Sequence, residues 1–244
     1  MQFLSAIFII PLVILHLFAG NLRFLHVIPR SRWLSFAGGA AVAYVFVHLL
    51  PELNRIQEEY REVWSGLRSE QPVFVLALAG LITFYLLERL LRRSMPGTTA
   101  RDRRNVEAEQ SKTMFRAHVI SFAIYNAIIG YFVSSPDERD VFQQLAFVGA
   151  MAFHFLVNDY GLRMDHGDRY RHSGRWILSA SLVGGWLVGM LGLVTGLVPD
   201  LLLAILAGGV ILNTLKEELP AERESRASAF IAGAVAYAVL LHFV

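Results

Sequence analysis

Residues 150–161 read AMAFHFLVNDYG and place polar side chains within an apolar stretch. The stretch begins at Val141, and His154, Asn158 and Asp159 follow on neighbouring helical turns before the next glycine. An imidazole, an amide and a carboxylate are costly inside hydrocarbon unless each binds a partner or a ligand. The fold and the function of the chain therefore depend on the solvent that surrounds this stretch.

The composition of the 244 residues indicates a membrane protein, because 55% are hydrophobic and the mean hydropathy is +0.48. Eight apolar stretches lack an interior Lys or Arg, and most are long enough for a helix to cross a bilayer. Continuous apolarity without alternation predicts helices and excludes a membrane barrel. The stretches are residues 3–20, 34–51, 72–88, 117–133, 141–158, 176–195, 197–213 and 227–243. We expect an all-α, polytopic integral membrane protein with eight transmembrane helices in one domain, residues 1–244.

The distribution of positive charge predicts the orientation of these helices. Of the 22 Lys and Arg residues, 18 lie in or beside the odd-numbered connections and 4 in the even-numbered ones. Because positive residues stay on the cytoplasmic side, we predict a multi-pass protein of the cell membrane with both termini outside. Residues 92–114 are polar, basic and interrupted by Pro96 and Gly97, which we interpret as a cytoplasmic loop between the third and fourth helices. Residues 53–68 predict a short amphipathic helix on the outer surface.

Several classes of function are disfavoured by what the sequence lacks. The chain has no Cys, which excludes disulfides and thiolate metal sites. It has neither the G-x-S-x-G nor the H-E-x-x-H motif, so we do not expect an enzyme or a tightly bound cofactor. The net charge of +2 follows from membrane topology and gives no indication of nucleic-acid binding. The lipid bilayer is the first partner that we expect.

Two segments of the chain resemble each other. VFVHLLPEL (45–53) ends the second stretch, and VILNTLKEELP (210–220) ends the seventh. Each is followed by a polar segment and then by an apolar stretch that contains glycine. The predicted topology runs the two segments in opposite directions across the membrane. This is the pattern of an inverted repeat, which is typical of secondary transporters with a binding site near the midplane.

Taken with these features, four helices resemble those of the ZIP-type metal transporters. VHLLPEL (47–53) resembles the family's second helix, and LAGLITFYLLERL (78–90) its third. SFAIYNAIIGYF (121–132) lies where the family carries His-Asn-x-x-Asp/Glu-Gly, and AFHFLVNDYG (152–161) where it carries His-Glu-x-x-His/Glu. The resemblance implies a ZIP-like bundle with a 3+2+3 inverted repeat, a metal path between the central fourth and fifth helices, and a homodimer.

The chain departs from the family's motifs at several positions. On the fourth helix Asn126 is kept, while Tyr125 replaces His and Ile129 replaces the acidic residue. On the fifth helix His154 is kept, while Phe155 replaces Glu. Asn158 stands where the family has a second His or Glu, and Asp159 is an additional acid beside it. We therefore expect at most one metal site, with less carboxylate charge than the family's own.

The remaining polar residues form the candidate site. His154 and Asn158 are four residues apart and share a helix face, and their face can meet that of Asn126 if the fourth and fifth helices pair antiparallel. Imidazole, amide and carboxylate ligands suit zinc, iron or manganese, and we name zinc first. The candidate metal ligands are His118, Asn126, His154, Asn158 and Asp159. His48 and Glu52 form a candidate entrance, and we interpret His16 and His242 as interfacial or packed side chains.

The function that we predict is transport of a divalent metal cation through a site between the fourth and fifth helices. The alternative is a ZIP-like membrane protein that has lost metal transport and carries another solute, or acts as a sensor or scaffold. Ile129 and Phe155 favour this alternative, because they place apolar side chains where a divalent cation would need charge.

Overall fold

The fold is all-helical, as the apolar stretches predicted. A computed structural model describes residues 2–18, 32–66, 71–92, 100–134, 141–218 and 226–243, and these residues contain no strand. They form eight long helices, whose order follows that of the eight apolar stretches. The helices are α1 (Gln2–Phe18), α2 (Arg32–Glu59), α3 (Pro72–Arg92), α4 (Ala100–Ser134), α5 (Val141–His166), α6 (Arg175–Met190), α7 (Leu197–Asn213) and α8 (Ala227–His242).

Four of these helices contain a segment long and apolar enough to cross a membrane. These segments are Arg32–Glu59, Lys112–Ser134, Val141–His166 and Leu197–Lys216. Three further apolar helices are shorter: Ser5–Phe18, Pro72–Leu86 and Ala227–His242. The membrane character of the chain thus rests on four candidate spans and several shorter apolar helices.

Helix α1 shows how the bundle presents apolar surface outward. Ile7, Ile10, Ile14 and Phe18 are all at least half exposed and recur at helical spacing along one face. A water-soluble surface rarely keeps so large an apolar stripe uncovered, whereas a lipid-facing surface requires one. The opposite face of α1, which carries Leu12, packs into the bundle.

Close helix pairs form because glycines remove the side chains between them. An added Cβ on Gly39 of α2 would lie 2.0 Å from the carbonyl oxygen of Phe230 on α8. An added Cβ on Gly208 of α7 would lie 2.0 Å from the carbonyl oxygen of Ala77 on α3. Small residues at such contacts let helix backbones approach closely, which is a common way to pack helices in lipid. The pairs α2–α8 and α3–α7 flank α4 and α5, and α4 also packs on α6.

Two predictions about the connections need correction. Residues 100–114 of the predicted loop 92–114 form the first turns of α4, because a run rich in Arg, Glu, Ala and Gln favours helix and continues into the apolar stretch. Residues 93–99 lie outside the described residues. Residues 53–59 of the predicted amphipathic helix at 53–68 are helical, but they form the end of α2 rather than a separate element, since α2 continues through a π-helical turn (Val45–Leu49) to Glu59. A short helical turn, Arg61–Trp64, follows it. Residues 67 and 68 lie outside the described residues.

Candidate functional site

Four of the five candidate ligands are almost fully buried on α4 and α5, together with Tyr125, the altered motif position. Tyr125 and Asn126 of α4 are 1% and 2% exposed. His154, Asn158 and Asp159 of α5 are 1%, 5% and 2% exposed. The burial of all five follows from their spacing, because each set occupies the helix face that turns toward the centre of the bundle.

The first part of the site is centred on the imidazole of His154. Its Nε2 atom lies 2.8 Å from the hydroxyl oxygen of Tyr125 and 2.8 Å from Nδ2 of Asn158. Tyr125, which stands where the ZIP family has His, therefore joins α4 to α5 through a hydrogen bond. The Oδ1 atom of Asn158 is buried and has no hydrogen-bond partner within the described part of the chain. This oxygen can accept a hydrogen bond from a water molecule or a ligand.

The second part of the site is centred on His16 of α1. Its Nδ1 atom lies 3.0 and 2.9 Å from the two carboxylate oxygens of Asp159, and its Nε2 atom lies 2.8 Å from Oδ1 of Asn126. Both side chains of the His16–Asp159 pair are only 1% exposed. The imidazole thus lies between the amide of Asn126 on α4 and the carboxylate of Asp159 on α5.

Of the two interpretations of His16, the interfacial one is wrong and the packed one holds, because the side chain is buried and its ring packs on that of Phe155. Its ring binds residues of α4 and α5 that are 110 and 143 positions away, a contact with no local signal in the sequence. The burial of His16, unlike its partners, had a signal within α1. His16 follows Leu12 by four residues, and Ile9 precedes Leu12 by three, which places all three on the buried face.

Two apolar residues next to the polar group, Phe155 and Ile129, are packed in the core. Phe155 is 1% exposed, and its ring centroid lies 4.3 Å from that of His16. Ile129 is fully buried. Phe155 therefore presents an apolar ring to one side of the His16 imidazole.

His118 lies in a different arrangement from the one that we predicted. Its Nδ1 atom is 2.8 Å from Nε2 of His166, and the two ring centroids are 5.0 Å apart. The structure thus pairs it with a histidine at the end of α5. The candidate entrance is partly paired as well, because Glu52 forms a salt bridge with Arg55 at 2.9 Å. His48 lies beside Tyr44, with 5.2 Å between their ring centroids.

A cavity of about 200 Å³ opens beside His16. It is bounded by the end of α1, by a π-helical turn that precedes α6 (Tyr170–Gly174), and by the first residues of α6. Burial, followed by the negative charge of Asp159, raises the pKa of Tyr170, so its hydroxyl stays protonated at ordinary pH. The cavity is lined by His16, Leu17, Tyr170, Arg171, His172, Arg175 and Trp176.

The arrangement offers imidazole, carboxylate, amide and phenol groups, but not a preformed metal cage. Within the ranges that the structure describes, no three His, Asp or Glu side chains converge in the way that metal ligands do. Comparisons of the chain with protein-family models, with curated proteins and with solved structures return no match. The chemistry of the site therefore has to be argued from the residues themselves.

Proposed function

We propose that the protein is a polytopic carrier of the cell membrane that passes a divalent metal cation between α4 and α5. Zinc is the first candidate for this cation. The observation that carries this proposal is a group of buried polar side chains where α1, α4 and α5 meet. Polar and ionisable groups within apolar helices are expensive, and they typically mark substrate or ion pathways. The group consists of His16, Tyr125, Asn126, His154, Asn158 and Asp159.

The proposed carrier has eight membrane helices and both termini outside the cell. The four candidate spans and the shorter apolar helices support this count, since together they cover seven of the eight stretches. The excess of Lys and Arg in the odd-numbered connections supports the orientation. A homodimer is part of the proposal only through the resemblance to the ZIP family.

A 3+2+3 inverted repeat is the proposed plan of the bundle, with α1–α3 equivalent to α6–α8. Gly39 lies six residues before the π-helical turn at Val45, and Gly208 lies six residues before the π-helical turn at Thr214 (Thr214–Glu218). Their partner helices are also equivalent, because α2 packs on α8 while α7 packs on α3. This register pairs Val45 with Thr214, whereas the alignment of VFVHLLPEL with VILNTLKEELP pairs Val45 with Val210. The two registers differ by four residues, which is about one helical turn.

The proposed site supplies few charges, which suits transport rather than storage of a cation. Asp159 offers one carboxylate, His16 and His154 offer imidazoles, and Asn126 and Asn158 offer amide oxygens. A transport site must be strong enough to replace water and weak enough to release its ion. Because imidazole ligates only when its coordinating nitrogen is unprotonated, uptake should weaken as the pH falls through the range in which histidines titrate.

The alternative is a membrane protein of the same fold that does not transport metal. It is favoured by one observation, which is that the His16–Asp159 pair already satisfies the carboxylate and one imidazole without any ligand. Phe155 and Ile129 agree with it, since both are packed core residues. Such a protein would carry another solute, or act as a sensor or scaffold.

Flux into proteoliposomes tests the two functions against each other. The purified protein would be reconstituted, and uptake of zinc, iron, manganese and cadmium measured for wild type and His154→Ala. His242→Ala is the matched control, because this histidine is exposed at the end of α8. We expect uptake by wild type and the control, and a loss of at least tenfold in His154→Ala. If none of the four metals enters above the level of empty liposomes, the alternative is correct.

A further inference from the structure

The cavity beside His16 has a positively charged wall. Arg171 lines it from the π-helical turn before α6, and Arg175 lines it from the first residue of α6. Arg171 forms an ion pair with Asp168 at 3.6 Å, but both side chains are more than half exposed, so the pair is weak and an anion can compete for the arginine. Among the described residues that line the cavity, none is Asp or Glu. The cavity therefore favours an anionic ligand.

Two hydrogen-bond donors of the cavity wall are buried without a partner. Within the described part of the chain, neither Nε of Arg175 nor the hydroxyl of Tyr170 has a hydrogen-bond partner. Nη1 of Arg175 donates to the carbonyl oxygen of Leu17 at 3.1 Å, which holds the guanidinium beside the end of α1. Tyr170 is only 2% exposed, and the charge of Asp159 reaches its hydroxyl, but the two groups do not meet in hydrogen-bond geometry. Buried donors of this kind usually bind a water molecule or an ion.

The position of Tyr170 is set by the residues around its ring. The ring packs with Leu162 of α5 and Leu178 of α6. An added Cβ on Gly174 would lie 2.6 Å from Cδ2 of Tyr170, so the glycine leaves the room that the ring occupies. Both residues belong to the π-helical turn, a feature that is often found at functional sites. This side of the wall is therefore held by packing and does not depend on a ligand.

A phosphate group matches the wall in charge, in size and in its acceptors. Arginine binds phosphate through parallel N–H donors, and hydrogen bonds between two charged groups are among the stronger ones in proteins. The cavity of about 200 Å³ has room for several water molecules of roughly 30 Å³ each, and thus for a phosphate. The four oxygens of a phosphate can accept from Arg171, Arg175 and Tyr170 together, whereas a carboxylate offers only two.

The surroundings of the cavity indicate a lipid as the source of the phosphate. Phe18 at the end of α1 and Ile177 near the start of α6 are 55% and 43% exposed, and both belong to the apolar outer surface. Trp176 of the cavity wall is also 55% exposed, and its ring centroid lies 5.4 Å from Cζ of Arg175. Tryptophan is enriched at the level of the lipid headgroups, and basic residues beside membrane helices attract anionic lipids.

We propose that this cavity binds a phosphate group, and that the phosphate belongs to the headgroup of an anionic lipid. Arg171 and Arg175 balance its charge, Nε of Arg175 and the hydroxyl of Tyr170 donate to its oxygens, and the acyl chains follow the apolar outer faces of α1 and α6. A bound headgroup thus connects the end of α1, which carries His16, to the start of α6. The phosphate site does not rest on metal transport, whereas the lipid source rests on the membrane placement of the chain.

Three probes separate the phosphate from its source. The full chain, purified in a neutral detergent, would be titrated with radiolabelled dioctanoyl phosphatidylglycerol, with dioctanoylglycerol as a lipid without phosphate, and with inorganic phosphate. We expect saturable binding of phosphatidylglycerol, no measurable binding of dioctanoylglycerol, and competition by inorganic phosphate only at higher concentration. If inorganic phosphate binds as tightly as phosphatidylglycerol, the phosphate site stands and the lipid source is wrong. If dioctanoylglycerol binds as well as phosphatidylglycerol, or if no probe binds, the phosphate site is wrong.

A charge variant locates the binding in this cavity. Arg175→Gln removes the guanidinium, and Arg116→Gln is the matched control, because Arg116 is exposed on α4 and does not line the cavity. Since a hydrogen bond between charged groups is worth about tenfold or more in affinity, we expect Arg175→Gln to bind phosphatidylglycerol at least about tenfold more weakly than the control. Equal affinities of the two variants would overturn the proposal.

A second variant separates binding from stability, and it also serves if Arg175→Gln does not fold. Tyr170→Phe keeps the packed ring and removes only the hydroxyl. Without lipid, it should melt at or above the temperature of wild type, because it removes a buried donor that has no partner. Its affinity for phosphatidylglycerol should still fall about threefold to tenfold, a loss that a purely structural role of the hydroxyl would not cause. Wild-type affinity in Tyr170→Phe would contradict the proposed site.

Discussion

Two adjacent glycines of α6 test how closely this helix packs against α4. A Cβ added to Gly185 would lie 1.8 Å from the carbonyl oxygen of Ala127, whereas a Cβ added to Gly184 would meet nothing within 4 Å. The backbone oxygen of Ala127 cannot move aside as a flexible side chain would. The Gly185→Ala variant must therefore separate the two helices by more than about 1 Å at this point, since real Cβ atoms do not approach closer than 3.0 Å.

The free energies of unfolding of the two variants should differ accordingly. Both substitutions gain about 1 kcal/mol of helix propensity, so this gain cancels between them. Overpacking of a tight contact costs about 1–3 kcal/mol, and only Gly185→Ala incurs it. We expect Gly185→Ala to be less stable than Gly184→Ala by that amount, and Gly184→Ala to equal or exceed wild type. Thermal unfolding in one detergent measures both. Equal melting temperatures would refute the close approach of α4 and α6.

Two further predictions concern the loops and the topology. The Tyr60 hydroxyl lies 2.9 Å from Asp200, and this hydrogen bond is the main cause that raises the pKa of Tyr60 to about 12 from its ordinary 10.0. The stability that this hydrogen bond contributes should be fully present at a pH below the ordinary tyrosine pKa of 10.0, and it should be lost as the pH rises through the pKa of about 12. The melting temperatures of wild type and Tyr60→Phe should therefore converge at high pH. The chain has no Cys, so single cysteines can be placed at Ser65 and Asp165. We expect them to react with impermeant reagents from opposite sides of the membrane. Labelling of both from the same side would reject the proposed topology.

The helical class and the burial of four polar side chains of α4 and α5 followed from sequence, because both depend on local pattern. The length of the apolar stretches predicted the helices. The spacing of His154 and Asn158, and the adjacent Tyr125 and Asn126, predicted which faces turn inward, and all four side chains are buried. These features repeat within a few residues, so a single chain displays them.

The residue of the polar group that the sequence analysis did not identify is His16, which is distant in sequence from the residues that it contacts. His16 is separated from Asp159 by 143 positions, and nothing in α1 specifies which helix its buried face will meet. The prediction of a loop at residues 100–114 was also wrong. It followed from the polar and basic composition of this segment, although the same residues are good helix formers. Polarity indicates contact with water, and it does not by itself indicate the absence of a helix.

The positions of the π-helical turns connect the proposed repeat to the proposed mechanism. A π-helical turn widens a helix locally and often lies at functional sites. Such turns occur in α2 and directly after α7, six residues beyond the glycines that join these helices to α8 and α3. Helices α4 and α5, which carry the polar site, are regular α-helix throughout. The proposed carrier moves its flanking repeats against a fixed centre. The groups that bind a cation must keep their geometry while access alternates, so we expect the helices that carry the site to be regular. The π-helical turns then belong to the helices that move.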